Sequence, residues 1–400
     1  MSNSRFATEA LSRHAIVLIT EETRGIMARN LQVWMLCGLM AMGLVSPVLG
    51  QVENAAGNAV VSTADHRAAV ARAIEFLRTR QNPDGSYSPE SGPGLTALVT
   101  TALLKHGHSV EEPQVANSLK YLQGLVQPEG GIHAPESKYR NYETCLAVMC
   151  FAEANRDGRY TELLQHADTF LKSIQWDQGE GLESSDPGFG GAGYGSHKRP
   201  DLSNTTFLIE ALRALGNDAD SEAVQRALVF VSRCQNLPSS HNETEFAGKV
   251  QDGGFYYTPA AGGNSQAGSN PDGGLRSYAS MTYAGLKSMI FAGVDSEDPR
   301  VAAAVKWLGE HYDLKSNPGM GDSGLFYYYH TFAKALAARG EAAFVDSQGV
   351  KHDWRGELNR ELLSRQLPNG SWVNENQRWL ESNPDLVTGY ALLALAYTRP

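Results

Sequence analysis

Residues 81–87 read Gln-Asn-Pro-Asp-Gly-Ser-Tyr, and residues 366–372 read Gln-Leu-Pro-Asn-Gly-Ser-Trp. In both, Gln closes an amphipathic run, a Pro/Asx/Gly turn follows, and an aromatic ends it. Pro presets the φ of a tight turn and Gly supplies its positive φ, so each stretch reads as a helix end entering a turn. An Ala/Leu-rich segment then runs to a terminal Gly or its equivalent.

The same unit occurs six times. The first copy is His66–Gln81, the turn 82–87 and Leu95–Gly107. The second is Gln114–Gln127, turn 128–133, Glu143–Asn155. The third is Thr161–Gln175, a long turn through Gly188–Gly195, then Leu202–Gly216. The fourth is Ser221–Gln235, a loop holding Gln251–Tyr257, then Tyr278–Gly293. The fifth is Pro299–Tyr312, Asn317–Tyr329, His330–Gly340. The sixth is Asp353–Gln366, turn 367–372, Leu386–Thr398. Eleven residues before the terminal Gly or its equivalent stand Thr96, Thr144, Thr205, Thr282 and Tyr329, and the sixth copy offers Thr388. A hydroxyl in every copy predicts one structural role near the start of each second segment, where it can cap or bond backbone.

The first segment of each copy carries charge on one face (Arg72, Glu75, Arg78, Arg80), whereas the second is apolar nearly all round (LTALVTTALL, LVTGYALLALAY). Helices of the second kind must be covered on every side. Six half-wet helices alternating with six covered ones predict an all-α fold, an (α/α)6 toroid over 65–400, with the inner helices parallel. Their N-termini would gather at one mouth of a central cavity. A linear solenoid needs near-uniform repeats and polar caps. The hydroxyl-to-hydroxyl steps here are 48, 61, 77, 47 and 59 residues, and the last helix stays apolar almost to Pro400, so closure is preferred.

Charged residues make up 20% of the 400-residue chain, and the formal charge is −10. That composition argues against a disordered chain and a multi-span membrane protein. It also lacks the basic footprint of a nucleic-acid binder. Residues 33–45 form thirteen uncharged positions after Arg29, with small residues at Val48 and Gly50. This reads as a signal peptide over 27–50, cleaved near Gly50, and as too short for a membrane anchor. Met27 is the expected initiator, with 1–26 an over-extended start or disordered leader and 51–64 a linker. The expected location is periplasmic or extracellular. Cys145, Cys150 and Cys234 lack framework or metal spacing, and Cys145 and Cys150, in an apolar helical stretch, read as buried apolar residues.

The Gln…Gly-aromatic turns resemble the QW motifs of the prenyltransferase and squalene-cyclase repeat superfamily, best at Gln81…Tyr87 and Gln366…Trp372. The resemblance covers 65–400 and implies the terpene-cyclase/protein-prenyltransferase toroid. Class II cyclases of that family protonate substrate with the middle Asp of D-x-D-D-T. The matching stretch is Asp201-Leu202-Ser203-Asn204-Thr205, where Ser203 replaces the donor and Asn204 the next carboxylate. A hydroxyl cannot protonate an alkene, because general-acid power follows acidity. The Tyr329-His330-Thr331 run resembles the zinc-binding YHT of prenyltransferase β-subunits. The paired Asp-x-Cys is replaced by Arg276-Ser277-Tyr278, and one His is not a zinc site. No Gly-Cys-Gly-Glu-Gln thioester run occurs, and no cofactor motif is visible. Glu143, Asp201 and Asp385 stand near inner-helix starts, an unspecific carboxylate set for a glycosidase or lyase; the helix dipole alone accounts for Asp201 and Asp385.

Aromatics and cations recur beside the turns and inner-helix starts. The expected ligand contacts are Tyr142, Arg199, Asn204, Arg276, Tyr278, Tyr328, Tyr329 and Trp379, with Asp201 and His330 as candidate catalytic residues. An aromatic pocket with a basic rim suits an elongated apolar or isoprenoid-like ligand with a polar or anionic head, or a threaded partner segment. Sugar stacking on Tyr remains a further use. The reading is an exported binding protein of squalene-cyclase type without the family's acid, metal or any cofactor. The alternative is an enzyme in the same cavity, either terpenoid-modifying or carbohydrate-active.

Overall fold

The computed structural model describes residues 61–195 and 199–399, all within one compact unit, Ala59–Pro400. The stretches read as leader, signal peptide and most of the linker lie outside the described residues. The helical part begins at Thr63, capped by Ser62, so the last residues of the expected linker belong to the first helix.

Thirteen helices follow one another in pairs: α1 (Thr63–Arg80) and α2 (Pro93–Lys105), α3 (Pro113–Gln123) and α4 (Arg140–Ala154), α5 (Thr161–Ser173) and α6 (Leu202–Ala214). Next come α7 (Glu222–Arg233), the single-turn α8 (Ala247–Val250) and α9 (Ala279–Phe291). The chain closes with α10 (Pro299–Glu310) and α11 (Leu325–Arg339), then α12 (Trp354–Arg365) and α13 (Pro384–Leu395). Two short strands, Phe344–Val345 and Lys351–His352, pair antiparallel between α11 and α12.

In α2 every residue from Pro93 to Leu104 is buried, and in α13 every residue from Asp385 to Leu395. In α1 only the stripe His66, Ala69, Val70, Ala73 and Leu77 is buried. This is the contrast of a covered helix with a half-wet one. The inner helices pack in the order α2, α4, α6, α9, α11, α13, and α13 returns to α2. The ring is closed. At that seam Gly389 presses on α2, where a Cβ would stand 2.4 Å from the Leu98 side chain.

Two repeated devices set the ring. The hydroxyls of Thr96, Thr144, Thr205, Thr282 and Thr388 accept from the backbone N–H of Tyr87, Ile132, Ala192, Phe255 and Trp372 at 2.9–3.2 Å. Each pins a turn to the first turns of its inner helix, so the turns do gather at the N-terminal end of the inner ring. Tyr329, fifth in the series, instead reaches outward and donates to the Leu314 carbonyl. The second device is the helix-ending Gln. Its amide donates both to its own turn and to the next outer helix: Gln81 to the Gln114 carbonyl, Gln175 to Ala223, Gln235 to Arg300, and Gln366 to Ala69. The last of these carries the sixth copy back onto α1. Gln127 differs, because α3 stops four residues earlier and its amide bonds Leu125 and His133 instead. The turn glycines are forced: at Gly190 (φ +83) a Cβ would lie 1.8 Å from the Arg226 carbonyl oxygen. The 77-residue step reflects the long connection from α7 to α9, which holds its own small core of Phe246, Tyr256 and Leu275.

Candidate functional site

At the N-terminal end of the inner ring, Asp201 caps α6. Its carboxylate accepts from Asn204 N at 3.0 Å and Asn204 Nδ2 at 2.9 Å, as a helix start favours. Burial raises its pKa to about 6, against the pull of the Asn204 bonds, the Tyr257 hydroxyl and Arg199. The Arg199 guanidinium stacks 5.1 Å from the Tyr257 ring. Ser203, in the first turn of α6, is bonded to the Tyr327 hydroxyl at 3.1 Å. Asn204 is thus spent on Asp201, and Tyr278 is the buried residue preceding α9. Arg276 is exposed and tied to Asn270 in its own loop. Trp379, 43% exposed and at φ +55, stands under Arg378. The other two carboxylates at inner-helix starts hold turns: Asp385 accepts from Arg80 and Ser88, and Glu143 from Ala134 N and Ser137.

Tyr328 and Tyr329 lie between the rings. Their hydroxyls donate to the carbonyls of Asp313 (2.5 Å) and Leu314 (2.7 Å) in the loop after α10. Tyr327 is the residue of this run that turns inward. It joins a layer of four rings from α4, α6, α11 and α13. Tyr142 packs on Phe207 at 5.4 Å, Phe207 on Tyr327 at 6.4 Å, and Tyr327 on Tyr390 at 5.9 Å. Tyr142 and Tyr390, on opposite flanks of the set, lie beside each other's hydroxyl, and burial raises the pKa of each. The layer spans the lumen partway along the inner helices.

Beyond it lies a cavity of about 480 Å³, lined by the C-terminal halves of the inner helices. Its walls are Leu98, Leu146, Met149, Phe207, Phe291 and Leu393, and its rim carries Lys105, Glu153, Arg156, Arg213 and Tyr397. The opening of this cavity is therefore at the opposite end from the mouth expected from the turns. Of the ten expected site residues, His330 alone is among its lining residues; Asp201 is not. His330 stacks on Tyr390 at 5.8 Å, and its Nδ1 is buried without a hydrogen-bond partner among the described residues.

Three charged residues were missed. Glu210 on α6 is paired with both Lys287 on α9 and Lys334 on α11, at 2, 1 and 16% side-chain exposure. Burial alone would raise the Glu210 pKa, but the two ammonium groups hold it down at about 2. Burial lowers Lys287 to about 8 despite Glu210. For Lys334 the pull of Glu210 outweighs burial and the pKa rises. His330 is pushed down to about 3 by burial and then by the two lysines. At neutral pH Glu210 is thus a carboxylate, Lys287 and Lys334 are ammonium groups and His330 is a neutral imidazole, and of these Glu210, His330 and Lys334 line the cavity. A lone charge in an otherwise apolar helix was the available signal: Glu210 in TTFLIEAL, Lys287 in YAGLKSMI, Lys334 in TFAKALAA.

A larger groove, about 1000 Å³, runs outside the ring between α1 and α3. Its histidines are already engaged: His66 with Asn359, His106 with the Leu392 carbonyl, His108 with Glu112. Among the described residues, no cluster of His, Cys, Asp and Glu could hold a metal ion. Likewise, none of their helices is long and apolar enough to cross a membrane.

Residues 89–259 match the model of the squalene-hopene cyclase C-terminal domain. No curated protein matches the chain in sequence. Three solved structures are similar, and the first two share the fold. A possible member of the GH105 family from Salmonella enterica is 10% identical, covering 89% of this chain and 98% of its own, with a TM-score of 0.51. A protein from Actinoplanes is 15% identical, covering 84% and 100%, with a TM-score of 0.50. The type II terpene cyclase MstE from Scytonema, as its R337A variant with substrate, is 16% identical, covering 84% and 98%, with a TM-score of 0.39. Over residues 89–259 the chain thus matches a squalene-cyclase-type repeat family, and its closed helical ring is consistent with that match.

Proposed function

We propose that this is an exported binding protein that holds an elongated, mainly apolar, isoprenoid-like ligand in the lumen of its ring, without the family's protonation chemistry. The observation that carries this is the chemistry of the cavity wall. The wall is largely Leu, Met and Phe, and its volume is in the range of small-ligand sites. Its ionisable groups offer no strong acid at neutral pH, since Glu210 is held ionised, His330 neutral, and the Lys334 ammonium is far too weak to protonate an alkene. At the other end, Ser203 stands where the family's donor Asp would, and Asp201 is engaged as a helix cap. Burial moreover raises the Asp201 pKa, which weakens it as a general acid. The enzyme alternative built on Asp201 and His330 loses support because only His330 lines the cavity.

Native mass spectrometry of protein purified from its own host tests this reading. The expected result is a co-purifying lipid released on denaturation, with squalene recovered unchanged after incubation. Turnover of squalene, abolished by Asp201→Asn, would overturn it. The N-terminus of the exported protein should be Gln51.

A further inference from the structure

The charge inside the lumen does not balance. Lys287 and Lys334 share the single carboxylate of Glu210; Glu210 and Lys287 are buried and Lys334 is partly so. A buried charge is ordinarily matched by a partner. The other carboxylate of the cavity, Glu153, is already spent at the rim on Lys105 (2.8 Å) and Arg156 (3.8 Å). Arg213, also at the rim, is exposed and donates to the Asn217 carbonyl, while Thr101, Leu98, Phe207 and Leu393 deeper in the same space bring no charge. One negative charge is therefore missing beside Lys334. A second observation points the same way. His330, one turn from Lys334 on the same face of α11, lines the cavity with its Nδ1 buried and unpartnered.

We propose that Lys334 and His330 form the headgroup site of the lumen and that the ligand's head is a carboxylate. This rests on the ligand-binding reading above and specifies its ligand class. The head would accept a charge-assisted bond from Lys334 and one from the imidazole N–H, restoring neutrality among the four groups. The apolar chain would lie against Leu98, Leu146, Met149, Phe207 and Leu393. A deficit of one charge selects a monoanion: a diphosphate, with two or three charges, would overshoot and leave buried negative charge unpaired.

Calorimetric titration of the full chain with farnesoic acid, farnesol and farnesyl diphosphate tests this, because the three differ only in the head. The acid should bind roughly tenfold or more tighter than farnesol, the gain expected from a bond to a charged group. Lys334→Met, nearly isosteric and leaving the Glu210–Lys287 pair intact, should bring acid and alcohol within about twofold without weakening farnesol. Lys334→Arg should keep the preference, which guards against a folding defect in the first variant. Equal binding of acid and alcohol by the wild type would overturn the headgroup site while leaving lumen binding standing. So would a preference that survives Lys334→Met, or tighter binding of the diphosphate than of the acid. Failure of all three to bind would remove the ligand-binding reading itself.

Discussion

Replacing Glu210 by Gln is the sharpest perturbation the structure offers. The change is isosteric, so packing of α6 against α9 and α11 is kept, and only the charge leaves. What remains is two ammonium groups, Lys287 at 1% and Lys334 at 16% side-chain exposure, with no counter-ion. Removing one member of a buried ion pair typically costs about 3–5 kcal/mol, because the surviving charge stays buried. Here two charges are stranded, so the upper end, about 5 kcal/mol, is expected; that is a large share of a domain's usual stability. Glu210→Leu with Lys287→Met and Lys334→Met should instead lie within about 1 kcal/mol of the wild type, since apolar replacement of a whole buried cluster is often neutral. Urea unfolding followed by tryptophan fluorescence, comparing midpoints at equal slope, reads both. A loss below about 1 kcal/mol for Glu210→Gln would refute the reasoning, as would a triple variant as weak as the single one.

Acid should destabilise the fold earlier than carboxylates alone would. His330 is held down at about 3 and His106 at about 4, in each case first by burial. Their folded pKa values lie below the unfolded value of 6.5, so stability is full above pH 6.5 and falls as pH drops toward 4, by about 1.4 kcal/mol per pH unit for each histidine. Urea midpoints at pH 7.5, 6 and 5 should show this, with a shallower slope in His330→Phe; an unchanged slope refutes it. Gln366→Ala removes the amide that bonds both Ala69 and Gly370 and should cost about 2 kcal/mol. It should also speed hydrogen exchange in α1, whereas Gln127→Ala should leave α1 exchange unchanged. Tyr142→Ala with Tyr390→Ala removes two rings of the layer beneath the cavity. Binding should then shift from farnesoic toward geranylgeranoic acid, read by competition; an unchanged chain-length profile would show that the layer does not limit depth.

The ring was legible because its causes are local and repeated. An inner helix that is apolar all round cannot be mistaken for a half-wet one, and the recurring hydroxyl near the inner-helix starts marks five equivalent contacts, with Tyr329 the exception. Where the lumen opens was not legible. Aromatics cluster at the inner-helix starts, and from sequence they read as a rim. Whether such rings line a mouth or meet across it depends on residues from four different repeats, Tyr142, Phe207, Tyr327 and Tyr390, arriving at one height. The run Phe326–Tyr329 shows the limit in one helix. At 3.6 residues per turn, successive side chains point about 100° apart, so a single member of the run can face the lumen. That member is Tyr327, while Tyr328 and Tyr329 tie the wall to the loop beneath α10.

The same geometry bears on the proposal that this ring lacks the family's protonation chemistry. A cyclase must hold a long chain against an acid, so its lumen has to connect the acid to the full depth of the cavity. In this ring the one carboxylate of the acid-bearing stretch, Asp201, caps a helix at one end, and four rings span the lumen between it and the cavity described at the other. The open half is lined by His330, Glu210 and Lys334, two of them locked in an ion pair and the third neutral. Restoring Asp at Ser203 and Asn204 would therefore return the acidic stretch without returning cyclisation, because the acid would face the wrong side of the aromatic layer. Only a variant that also replaces Tyr142 and Tyr390 by Ala is expected to turn over a polyprene, and product formation by the acidic double variant alone would show that the layer is no barrier.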